Sequence, residues 1–179
     1  MYQKLFFLIR NIFYCFRLNH IIPFKINERF DILTMNKYYI NKIDEIYSLF
    51  SDGEHMSWEM KILFYLCGKV LVFLLYDKNS HEVIGLEFYY FNKRDIREAT
   101  IHQGFRGILP EYQGKGLGTA LTQYAYDVFS KTSLKGMSTR VSCNNLSSLI
   151  SNKKIGFEPV EKYFDSSMDE ERYYMICKF

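Results

Sequence analysis

A chain of 179 residues with 48% hydrophobic and 24% charged content is long enough for one domain with its own core, and that balance excludes an intrinsically disordered protein. Its four cysteines, at positions 15, 67, 143 and 177, form no CxxC pair, which argues against a zinc site or a disulfide framework and for a reducing compartment. The charge of +3 is uneven: residues 1–27 hold Lys4, Arg10, Arg17 and Lys25 and no acid, while the other 19 basic residues face 20 acidic ones, so no global basic face speaks for nucleic acid.

The first segment, MYQKLFFLIRNIFYCFRLNHIIPF, is interrupted at Arg10 and Arg17, too soon for the roughly 20 apolar residues a membrane span needs. It also lacks the long apolar stretch and small-residue cleavage site of a signal peptide. At helical spacing Leu5, Phe6, Leu8, Ile9, Ile12, Phe13, Cys15 and Phe16 share one half of the wheel. Gln3, Lys4, Arg10, Asn11 and Arg17 share the other. The pattern predicts an amphipathic helix ended by Pro23, and residues 1–26 read as an arm before a domain at 27–179. Residues 3–18 are expected to contact protein, either their own domain or a second subunit, or to lie on a membrane surface.

The spacing then predicts a strand in ERFDILTM, a helix in NKYYINKIDEIYSLF and a second helix in HMSWEMKILFYLC closed by Gly68. KVLVFLLY and EVIGLEFYYF read as a hairpin turned by DKNS. EATIHQGFRGIL is a further strand in which Gly104 and Gly107 suggest a bulge or splay. A glycine turn leads into the helix GTALTQYAYDVFSK, then the strand KGMSTRV and the helix NLSSLISNKKIGF, stopped at Gly156. FEPVEKYF and RYYMICKF flank DSSMDE as a last hairpin. The order β-α-α-β-β-β-α-β-α-β-β makes a mixed sheet with helices on its faces, a single α/β (α+β) domain.

The turn ILPEYQGKGLGTAL places Gly114, Gly116 and Gly118 at alternate positions directly before a helix. Glycine accepts positive φ, and a helix N-terminus points unpaired N–H groups at one spot, so the stretch reads as a phosphate cradle. Gln113-Gly114-Lys115-Gly116-Leu117-Gly118, preceded by Ile108, Leu109 and Pro110, resembles the phosphate loop of the GNAT superfamily of acetyl-CoA-dependent N-acetyltransferases. TRVSCNNLSSLISNKKIGF, with Asn145 eleven positions before Gly156, is similar to that family's later motif, and the likeness covers about residues 27–179.

The resemblance implies a mostly antiparallel sheet splayed between the strand ending at Ile108 and the one near Val141. It implies acetyl-CoA as co-substrate and no metal. Backbone groups from Gly114 to Thr119 would hold the pyrophosphate, Lys115 would point outward, and Ile108 and Leu109 would border the pantetheine arm. Asn145 would bond that arm or cap its helix, with Ser148 alongside. Many family members carry a Tyr as the thiol's general acid where this chain has Asn152, which cannot give up a proton but can hydrogen-bond sulfur, so Ser151, a water or another group would serve. His102, eleven positions before Gln113, is the first candidate base, and Glu87 on the neighbouring strand is the second, although a solvated glutamate is the plainer reading of Glu87. The implied activity is acetyl transfer to a primary amine of a small molecule, an amino-sugar nucleotide being one acceptor that suits an arm near a membrane. The expected location is the cytoplasm, extending to peripheral contact with the inner membrane surface. The alternatives are an acyl-CoA-binding sensor or structural protein and a peptide N-acetyltransferase. A nucleotide-phosphate site is disfavoured, because the loop lacks a Gly-Lys-Ser/Thr ending.

Overall fold

The computed structural model describes residues 2–179. Eight strands form one sheet: β1 (Phe24–Lys25), β2 (Phe30–Thr34), β3 (Val72–Asp77), β4 (Glu82–Tyr90), β5 (Thr100–Ile108), β6 (Gly136–Ser142), β7 (Glu158–Asp165) and β8 (Glu170–Lys178). Their spatial order is β1-β2-β3-β4-β5-β6-β8-β7. Every neighbouring pair is antiparallel except β5–β6, which is parallel. That pair is bridged by the helix α5 (Leu117–Phe129), as a parallel connection requires a crossover.

α5 covers one face, where Tyr89 and Phe73 meet Phe129 at ring separations of 4.9 and 5.6 Å. The opposite face carries α2 (Ile40–Leu49) and α3 (Trp58–Leu71), with Phe64 on Phe88 at 4.7 Å and Tyr47 on Phe105 at 5.1 Å. The high aromatic content is therefore used mainly to fill both layers of the core. α6 (Leu146–Ile155) follows β6; it is capped by Asn145, whose Oδ1 accepts from Ser148 N–H at 2.9 Å, and ends at Gly156 with φ of +107°.

The β5–β6 ladder is short. Pairing runs only from Thr100–Gly136 to Gln103–Thr139; beyond it the strands part, while β6 stays paired to β8 as far as Ser142. The other edge of β5 remains on β4, with a register shift as Phe88 and Tyr89 pair to Phe105 and Gln103, so Gly104 is the bulge expected there. The expected splay is thus an open wedge between residues 104–108 and 140–142.

Three sequence expectations need correction. Gly68 does not close its helix, which continues to Leu71; a Cβ at Gly68 would overlap the Met35 side chain, so the glycine serves close packing. The first helix, α1 (Tyr2–Cys15), ends well before Pro23. Glu98 and Ala99, placed at the start of the strand EATIHQGFRGIL, instead close a short helix, α4 (Lys93–Glu98), with a reciprocal cap between Asn92 and Asp95.

The burial of α1 also differs from its wheel. It packs on α3 through Leu8, Asn11 and Cys15, while Leu5, Phe6, Ile9, Phe13 and Phe16 stay exposed. Asn11 belongs to the polar half yet is fully buried: its Nδ2 donates to Phe91 O at 3.1 Å and its Oδ1 accepts from Phe91 N–H at 2.6 Å. A third bond runs from Nδ2 to Phe7 O. One amide therefore satisfies both backbone groups of a buried residue where β4 ends. None of the described helices is long and apolar enough to cross a membrane.

Asn11→Leu keeps the volume, removes the acceptor of Phe91 N–H and leaves the Phe91 carbonyl with Arg10 alone. Leaving one buried N–H unpaired should lower the unfolding free energy by about 2 kcal/mol, read as a fall in the urea midpoint.

Candidate active site

β5 runs straight into the glycine turn. A 3-10 turn at Pro110–Tyr112 is followed by Gly114 and Gly116 with φ of +73° and +75°, a conformation that L side chains rarely adopt. A Cβ at either position would meet no atom within 4 Å, so crowding there could come only from a bound molecule. Gly118 has an ordinary φ, and a Cβ would lie 3.6 Å from Arg106. The first bond of α5 is Ala120 N–H to Gly116 O, and Gly116 has no side chain to cap the helix. The N–H groups of Leu117, Gly118 and Thr119 thus lack helical acceptors at the positive end of the helix. Gln113 ties the turn down by donating from Nε2 to Ile108 O at 2.8 Å. Lys115 folds back to Glu111 O at 2.9 Å, and Leu109 N–H bonds Ile84 O. An anion therefore meets main-chain donors here, with the lysine turned aside.

The wedge is crossed by a side chain that the motif reading passed over. Arg106 donates from Nη1 to Thr122 Oγ1 at 2.7 Å and to Asn152 Oδ1 at 3.3 Å, and from Nη2 to Ser151 Oγ at 2.6 Å. It links the splayed half of β5 to both α5 and α6. Glu87 lies opposite it across the β4–β5 ladder. Contrary to the solvated reading, Glu87 is fully buried. Its Oε1 accepts from Tyr89 at 2.7 Å, Thr122 at 3.0 Å and Gln103, whereas Oε2 has no partner. Burial raises the Glu87 carboxyl, opposed chiefly by the Arg106 charge. Asn152 is 1% exposed, and its Nδ2 is also without a partner.

His102 sits on the other face of β5. Its Nδ1 is 2.7 Å from Ser138 Oγ, which donates to Asp95 Oδ1 at 2.5 Å. With the hydroxyl proton directed at Asp95, Ser138 accepts from Nδ1–H, which leaves the imidazole lone pair on Nε2. Thr100 and Tyr174 also donate to Asp95 Oδ1, at 2.8 and 3.4 Å. The ring lies beside Tyr90 and Tyr174. Burial draws the imidazole down to about 4, resisted by Asp95 and helped by Arg140 and Arg172. That is well below the ordinary value of 6.5, so at neutral pH the ring is uncharged.

The predicted residues thus form two groups on opposite faces of the wedge. Ser151, Asn152 and Glu87 gather around Arg106, and His102 lies beyond β5 with Asp95 and Ser138. Asn145 and Ser148 form the cap of α6. Arg106 carries a signal in hindsight, a charge set between the apolar and glycine positions of a buried strand. Asp95 and Ser138 carry none. No three His, Cys, Asp or Glu side chains are grouped to hold a metal among the described residues.

Comparison with known proteins gives a family model, described as the acetyltransferase (GNAT) family, that matches residues 40–157. No curated protein sequence matches the chain. Among solved structures it is similar to Naa50 of Arabidopsis thaliana in complex with a bisubstrate analogue, at 17% identity and a TM-score of 0.71, covering 84% of this chain and 99% of that one. The ribosomal-protein-S5-alanine acetyltransferase of Vibrio fischeri gives 16% and 0.72, covering 88% and 97%. A GNAT-family acetyltransferase of Bacillus anthracis gives 17% and 0.65, covering 88% and 98%. At these identities the structural likeness establishes the fold.

An unfolded chain protonates His102 near 6.5, whereas the folded one resists until about 4, so the unfolded state binds more protons between these values and acid destabilises the fold there. His102→Gln should lose about 2 kcal/mol less stability than the wild type between pH 7 and pH 5, measured by urea unfolding at each pH.

Proposed function

This chain belongs to the acetyltransferase (GNAT) family, and from that premise we propose that it transfers an acetyl group from acetyl-CoA to a primary amine, with both substrates bound at once. The observation that carries the reading is the continuity of two unsatisfied main-chain surfaces. The free N–H groups at the start of α5 suit a pyrophosphate, and the unpaired edge of β5 leading into them suits an amide-bearing arm, added like a strand. The orphaned Nδ2 of Asn152, beside that edge, supplies a donor for a group entering the wedge.

In the reaction the amine nitrogen forms a bond to the acetyl carbon, the carbon–sulfur bond breaks, and the amine loses a proton. His102, held by Ser138 with its lone pair on Nε2, is the base we assign, acting directly or through a water. Its low basicity means that it suits an amine whose proton becomes acidic only as the new bond forms. Arg106 fills the place of a proton donor by charge: its guanidinium, fixed by Ser151 and Thr122, stabilises a departing thiolate without surrendering a proton. Asn152 adds a neutral donor. Glu87 is linked to Arg106 through Thr122 Oγ1 and anchors that hydroxyl. For the acceptor we propose a small-molecule amine, amino-sugar nucleotides included.

Calorimetric titration with acetyl-CoA tests the reading. Binding on the order of micromolar, lost in Gly116→Trp, supports it, because the indole would fill the space above the turn. No binding to the intact protein removes it. Arg106→Met should lower kcat about 100-fold under saturating substrates, the scale of a lost charge-stabilising donor.

A further inference from the structure

The near-neutral charge of the domain hides a local concentration of cations. A cavity of about 970 Å³ opens on the face of the sheet that carries His102, lined by Arg10 of α1, Lys93, Arg94 and Arg97 of α4, and Arg140 of β6, with Phe6 at its rim. Its volume lies at the upper end of the range for small-molecule sites. Arg94 is already engaged, with Glu98 at 2.8 Å and Glu161 at 2.5 Å, and lies over the Tyr174 ring. Among the described residues, Arg10, Lys93, Arg97 and Arg140 have no carboxylate partner, although Arg10 donates from Nε to Phe91 O. Asp95, a buried acid whose charge reaches Arg10, accepts from Thr100, Ser138 and Tyr174. Four cations drawn from three elements, none in a salt bridge, repel one another although the charges of Asp95 and Asp165 reach Arg10 and Arg140, and an anion placed among them relieves that repulsion.

The position of the cavity ties it to the acceptor. Arg140 is the first residue of β6 beyond the last β5–β6 pair, at the point where the wedge opens. It lies two residues from Ser138 and so shares the sheet face on which Ser138 holds His102. Its charge is among those that reach the imidazole. The pyrophosphate cradle at Gly114–Thr119 lies at the other end of β5, so the two anion-binding regions are distinct.

We propose that this cavity binds the phosphate or pyrophosphate group of the acceptor, so that the substrate is a phosphorylated primary amine whose nitrogen is set toward His102. The inference rests on the acetyltransferase reading. Guanidinium groups are suited to a dianionic phosphate by paired N–H donors, and several of them exceed what a single carboxylate would compensate. The phosphate can belong to a soluble sugar phosphate or nucleotide, or to a lipid headgroup. Both offer the same chemistry to these residues.

The test uses the full chain saturated with CoA, so that the cradle is filled, and calorimetric titration with matched amines: glucosamine against glucosamine 6-phosphate, and ethanolamine against phosphoethanolamine. The phosphorylated member of at least one pair should bind tenfold or more tightly. That advantage should fall at least tenfold in Arg97→Gln and in Arg140→Gln and persist in Lys131→Gln, a charge control outside the cavity. Vesicles of phosphatidylcholine with and without phosphatidylethanolamine separate the sources: acetylation or capture of the lipid assigns a headgroup, and preference for the soluble phosphates alone assigns a free metabolite. Equal binding within both pairs, or an advantage that survives both arginine variants, overturns the proposal while leaving the acetyltransferase reading intact. Failure of CoA itself to bind removes both.

Discussion

The parting of β5 from β6 after four residue pairs is the constraint on which the rest of the molecule depends. A sheet interrupted in this way leaves backbone donors and acceptors without partners in the middle of the fold, and such groups are costly unless something replaces the missing ladder. Here the surroundings are arranged for that replacement. The bulge at Gly104 turns β5 away, α5 and α6 flank the gap, and Arg106 reaches across it. The glycine turn collects the remaining donors at one end. The wedge thus runs along an unpaired strand edge and ends at the free N–H groups that open α5.

Two buried polar clusters sit on either side of this gap, and they solve different problems. On the α5 side, Thr122 Oγ1 donates to Glu87 and accepts from Arg106, while Tyr89 and Gln103 also donate to the buried carboxyl. Removing any one of these partners strands a buried polar atom, so the network holds a geometry firmly. On the α4 side, Asp95 accepts from three hydroxyl groups and through Ser138 sets the tautomer of His102. The first cluster positions a permanent charge. The second prepares a neutral imidazole.

The features legible in the sequence were those set by local backbone chemistry. Positive φ at Gly114 and Gly116, the cap at Asn145 and the stop at Gly156 each follow from one residue and its immediate neighbours. The succession of β2 to β8 along the chain followed from periodicity, whereas the two-residue β1 did not. What escaped was created by distance along the chain: Arg106 meets Ser151 and Asn152 about 45 residues away, and the cationic cavity draws on three segments that no local pattern joins. α1 misled for a related reason. A helical wheel counts an amide as polar, but Asn11 bonds both backbone groups of Phe91 as well as Phe7 O and is as much at home in the interior as a leucine. α4 was hidden because six residues of KRDIRE have no apolar period, and its reciprocal cap does the work that periodicity does elsewhere.

The clamp on Phe91 has a mechanical side. Asn11 grips the residue directly before Asn92, the N-cap of α4, and the neighbouring Arg10 holds the same carbonyl. The first helix and α4 are thereby tied together through a single residue, by the two peptide groups that flank Phe91. A force applied to the exposed apolar side of the first helix must break those bonds or carry the start of α4 with it. The two helices that supply Arg10 and Arg97 to the cavity wall therefore share one anchoring point, a single asparagine.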